Sequence, residues 1–129
     1  MTEPSRWLDF AREDVKMAEL AFQDGIYNQV CFHAQQGVEK AFKAFLESRQ
    51  QPVPRTHALT ELVTLCRGID RSAEQFQFAC EQLERYYIPT RYPEALPGMG
   101  PEGLPTRQDA EEAVAFLREA LDWIEGKIA

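Results

Sequence analysis

The sequence lacks any uninterrupted apolar run near the roughly 18 residues that a membrane-spanning helix needs. It also lacks the basic start, apolar run and small-residue cleavage site of a secretory leader. A soluble, cytoplasmic protein is expected. Cysteine is sparse: Cys31, Cys66 and Cys80 lie far apart, are odd in number and form no CxxC pair, which suits neither a disulfide framework nor a zinc cage. Each falls on an apolar helical face and reads as a small core residue. Histidine is sparser still. Neither His33 nor His57 has a second His, Cys or carboxylate at metal-ligand spacing, so no metal and no other cofactor is expected. HExxH and GxSxG strings are absent, and the GMGPEG stretch at 98–103 has no following Lys-Ser or Lys-Thr to make a phosphate loop. Basic residues are in the minority, 14 against 21 acidic ones for a net charge of −7, which excludes a surface that coats nucleic acid broadly.

What is present is ordinary globular composition, 44 % hydrophobic over 129 residues, enough for one core and one domain spanning 1–129. Between a few Pro and Gly punctuation points the apolar spacing is helical, and strand-like alternation is missing. Residues 6–24 place Trp7, Phe10, Ala11, Val15, Ala18, Ala21 and Phe22 on one stripe that stops at Gly25. A second helix is expected from Tyr27 to about Arg49, with Cys31, Ala34, Val38, Ala41, Phe42 and Phe45 inward. It ends before Pro52 and Pro54. A short third helix should start at Thr56 or His57, with Thr56 as N-cap, and close at Gly68. A fourth should span Ser72 to Tyr87. Residues 89–105 hold Pro89, Pro93, Pro97, Pro101 and Pro105 and can form no regular element. Thr106 with Asp109 three residues on marks the start of a last helix running to about Ile128. The fold class is therefore all-α, an up-and-down bundle of four long helices plus one short connecting helix.

Three features stand apart from the core pattern. Gln29, His33, Gln36, Lys40, Lys43 and Glu47 recur at three- and four-residue steps along the second helix, a polar row that either meets a phosphate or partner or is simply solvated. Asp14 sits on the apolar seam of the first helix. It is either a buried acid orienting an Arg, Tyr or His, or a boundary residue whose carboxylate reaches solvent or caps a neighbouring helix. Tyr86, Tyr87, Arg91 and Tyr92 flank the end of the fourth helix, either to stack a base and hold a phosphate or to pack the bundle's edge. Gly37, isolated inside the second helix, is expected to mark the close approach of another helix. By charge, residues 27–72 carry a slight positive excess, while both ends and residues 73–106 are acidic.

The order of the strings WLDFAREDVKMAELAF, YNQVCFHAQQGVEKAFKAFL, THALTELV and LERYYIPTRYP, followed by an amphipathic helix, resembles the HEPN family of small helical domains over nearly the whole chain. The resemblance implies a five-helix bundle that often forms homodimers and often acts with a minimal nucleotidyltransferase in a toxin–antitoxin-like pair. A subset of the family are metal-independent ribonucleases with an Arg followed, after four to six residues, by a His. Here Arg49 and His57 are too far apart and Arg55 and His57 too close, so no catalytic residue is assigned. The positions that match the family pattern are Asp14, Gln35, Gln36, Glu39, Lys40, Lys43, His57, Arg91, Tyr92 and Pro93. The expected nucleotide-binding set is Gln36, Lys40, Lys43, His57, Tyr87, Arg91 and Tyr92, with Asp14 as a buried orienting residue. The alternative is a ribonuclease whose site assembles across a homodimer, with His57 as acid/base and Arg91 or Arg55 stabilising charge.

Overall fold

The structure, a computed structural model, describes residues 3–85 and 105–128. Among them are α1 (Glu3–Gln23), α2 (Tyr27–Ser48), α3 (Leu59–Ile69), a 3-10 stretch (Arg71–Phe76), α4 (Gln77–Glu84) and α5 (Arg107–Ile128), and no strand. The chain is all-α, as its periodicity requires.

The turn after α1 follows from Gly25, whose φ of +73° lets the Ile26 N–H reach back to the Ala21 carbonyl at 2.9 Å. α2 then runs antiparallel to α1 and forms the centre of the bundle, packed on α1, α3 and α5. Its apolar row, Cys31, Ala34, Val38, Ala41, Phe42 and Phe45, is fully buried. At Gly37 both neighbouring helices approach α2 closely. A Cβ there would lie 2.6 Å from Leu117 Cδ1 on α5 and 3.2 Å from Asp14 Cβ on α1, so the absence of a side chain is what admits both neighbours. α5 opens with the expected reciprocal cap: Thr106 N–H donates to Asp109, and Asp109 N–H donates to the Thr106 hydroxyl. Phe76 ties the far side together, with its ring centroid 6.2 Å from Phe42, 5.8 Å from Phe116 and 5.6 Å from Trp123.

Four expectations need correction. The long fourth helix is broken: it opens as a 3-10 stretch whose first turn is capped by the Asp70 side chain, which accepts from the Ser72 N–H, and it becomes α-helical only from Gln77. Thr56 does not cap α3. That helix begins at Leu59, and its free Thr60 N–H is met by the Glu84 carboxylate of α4, a tertiary contact invisible to local sequence. Gly68 does not end α3, which continues to Ile69. Phe10 is exposed rather than on the buried stripe, because the 100° helical step puts Leu8, Ala11, Asp14 and Ala18 toward α2 and α5 instead.

Candidate functional site

Two acids are buried in the described part of the chain, Asp14 at 6 % and Glu39 at 5 % exposure. A carboxylate in such a position is costly unless its charge is matched and its oxygens accept hydrogen bonds. Each solves this in the same way, by holding one lysine and one histidine.

The first cluster joins α1 to α2. Asp14 Oδ2 accepts from Lys40 Nζ at 2.7 Å, and Asp14 Oδ1 lies 3.1 Å from His33 Nδ1. His33 and Lys40 are seven residues apart, two helical turns, and so share one face of α2 with Gly37 between them. Asp14 can lie between them only because Gly37 leaves the room. Of the two readings of Asp14, the buried orienting acid is the one that the geometry favours. His33, one of the two residues that it holds, also lines a groove of about 610 Å³ between the end of α1 and the start of α2, beside Met17, Leu20 and Ile26.

The second cluster joins α2 to the segment before α3. Glu39 Oε2 accepts from Lys43 Nζ at 2.9 Å, one turn on, and His57 Nδ1 lies 3.1 Å from Glu39 Oε1. Lys43 is only 6 % exposed, and its ammonium also stands 5.6 Å from the centroid of the Trp7 ring. The His57 side chain is 63 % exposed. A carboxylate can only accept, so in both clusters the histidine Nδ1 carries the hydrogen and the tautomer is set.

The polar row of α2 is therefore not a solvated face. It is split between two carboxylates: Lys40 belongs to Asp14 and Lys43 to Glu39, while Gln36, one turn before Lys40 on α2, is partly buried. Of the expected nucleotide-binding set, the structure brings Lys43 and His57 together and assigns Lys40 to the other cluster. Tyr87, Arg91 and Tyr92 lie outside the described residues. Glu39 and His33 stand outside the sequence-based set. The Glu39–Lys43 spacing of four residues is a visible signal for the first, whereas nothing local points Asp14 at His33. Among the described residues no group of three or more His, Cys, Asp or Glu is placed to hold a metal, and no helix is long and apolar enough to cross a membrane.

A family model described as the HEPN domain matches residues 4–127. Among solved structures, TT1696 from Thermus thermophilus is 35 % identical, with 98 % of this chain and 99 % of that one covered and a TM-score of 0.86. ST0689, described as an archaeal HEPN homologue, is 27 % identical over the full length of both chains, with a TM-score of 0.79. No curated protein matches the chain. With the bundle, the two carboxylate clusters and a match that leaves only a few terminal residues uncovered, the chain belongs to the HEPN domain family.

Proposed function

We propose that this protein is a HEPN-type nucleotide- or partner-binding module, cytoplasmic and homodimeric, acting with a nucleotidyltransferase in a toxin–antitoxin-like pair. Membership of the family supports a nucleotide- or RNA-related role. The observation that carries the binding reading is the Glu39–Lys43–His57 cluster, where one buried carboxylate holds both an ammonium and an imidazole. Because Glu39 already offsets one positive charge, the cluster suits a single local phosphate rather than an extended polyanion. The acidic total charge points the same way.

A charge-assisted hydrogen bond of this kind contributes about 2 kcal/mol, close to a thirtyfold change in affinity. Calorimetric titration with ATP should give saturable binding. Lys43→Met and His57→Ala should each weaken it more than tenfold, while Lys40→Met, in the other cluster, should leave it nearly intact. Absence of saturable binding would sink the proposal. Co-expression with the product of an adjacent nucleotidyltransferase reading frame, read by co-purification, tests the partner.

A second reading, a metal-independent ribonuclease, is favoured by one feature. Glu39 orients His57 while leaving most of the ring in solvent, which is what an acid/base imidazole needs. Overproducing the protein alone and following host growth and RNA integrity separates the two, with His57→Ala as control. Unharmed cells with intact RNA reject the enzyme.

A further inference from the structure

Gln35 lies one turn before Glu39 on α2, so Gln35, Glu39 and Lys43 succeed one another at four-residue steps along one face. Glu39 and Lys43 satisfy each other. Gln35 is 1 % exposed, and neither its amide oxygen nor its amide nitrogen has a hydrogen-bond partner. It supplies two of the four buried, unpartnered side-chain polar atoms found among the described residues. A buried amide with both ends unpaired is a standing cost to the fold, since it has lost its water and gained nothing in exchange. Such a group is expected to be replaced by an apolar one unless something pairs with it at another moment.

The pairing that would satisfy it is specific. The amide offers one donor and one acceptor side by side, and adenine presents the complement, an amino donor next to the ring acceptor N7. The same edge of guanine carries two acceptors and leaves the amide oxygen unmatched. Gln35 and Lys43 are eight residues apart, about 12 Å along the helix axis, a span comparable to that between the base of a nucleotide and its phosphates. We propose that Gln35 is the base-reading residue of the Glu39 site, and that the ligand class is an adenine nucleotide with its phosphates at Lys43 and His57. This rests on the nucleotide-binding reading above and adds the identity of the base. In the unliganded protein the amide is closed over, so the same residue that reads the base weakens the empty fold.

The test uses Gln35→Met, which keeps length and approximate volume and removes both polar atoms. Two quantities are measured on the full chain: the melting temperature without ligand, and the affinities for ATP, GTP and inorganic tripolyphosphate, which has phosphates and no base. The variant should melt about 3 °C or more above the natural protein. It should bind ATP about tenfold more weakly and tripolyphosphate unchanged. Lys43→Met, in contrast, should weaken both. A lower melting temperature for Gln35→Met, equal factors for ATP and tripolyphosphate, unchanged ATP affinity, or natural protein that prefers GTP would each overturn the assignment of Gln35 and leave the phosphate site standing. Natural protein that binds neither ATP nor tripolyphosphate overturns the nucleotide-binding reading itself, and this inference with it.

Discussion

Asp14 on the first helix and Lys40 on the second are joined by a 2.7 Å contact between a carboxylate oxygen and an ammonium, beside the buried apolar residues Ala11, Ala18, Ala34 and Val38. Gly37, one turn before Lys40, is what lets the two helices close to that distance. A charge placed there does more than hold two helices together: it fixes their rotation and register, because only one alignment gives both His33 and Lys40 to the same carboxylate.

Removing the acid should therefore be expensive. Asp14→Ala leaves the Lys40 ammonium without its counter-charge in a half-buried position and should cost about 3 kcal/mol in urea unfolding. Lys40→Met should cost at least as much, because it leaves the more deeply buried Asp14 carboxylate with His33 as its remaining partner. The double variant should fall short of the sum of the singles by about 1 to 3 kcal/mol. Strict additivity would show that the two residues do not interact.

Gly37→Ala tests the close approach directly. Helix propensity alone would reward the change by about 1 kcal/mol. The new methyl, however, would meet Leu117 Cδ1 at 2.6 Å, and Leu117 is fully buried, so it can shift only by displacing its core neighbours. Overpacking of this kind costs about 1 to 3 kcal/mol, so the net effect should be a loss of stability in thermal or urea unfolding. A gain would mean that the helices are further apart than the structure has them.

Acid should weaken the latch between α5 and the 3-10 turn. Asp70 accepts from the Ser72 hydroxyl and N–H and from Lys127 Nζ, and these bonds hold its carboxyl at a pKa of about 2, against an ordinary 3.8. Since the folded value lies below the unfolded one, the ionised form favours the fold. The contribution is complete above the unfolded value and fades as pH falls toward 2. The difference in urea midpoint between the natural protein and Asp70→Ala should be constant above about pH 5 and shrink between about pH 4 and 2. A difference independent of pH over that window would remove Asp70 from the latch.

Burial pushes the thiols of Cys31 and Cys66 up to about 12, and that of Cys80 upward as well. Thiolate is the reactive form, so native protein at pH 8 should resist a thiol-alkylating reagent at all three positions and react fully once unfolded in urea. Mass spectrometry of the alkylated chain reads the outcome. Rapid labelling of any one cysteine in the native state would contradict its place in the core.

How much of this was legible beforehand follows from the range of the signals. The helical class and the buried faces of α2, α3 and α5 are written in three- and four-residue spacing, and Cys31, Phe42, Leu62 and Leu117 are buried as that spacing requires. The start of α5 was equally local, because Thr106 and Asp109 cap each other within one turn. Asp14 could be recognised as an acid on an apolar seam, and Gly37 as a site of close packing. The partners of these residues could not, because which side chains meet across two helices depends on helix rotation and separation, quantities set by the whole core. Tertiary packing alone divided Lys40 from Lys43, gave His33 to Asp14 and His57 to Glu39, turned Phe10 outward, and left the Gln35 amide buried without a partner.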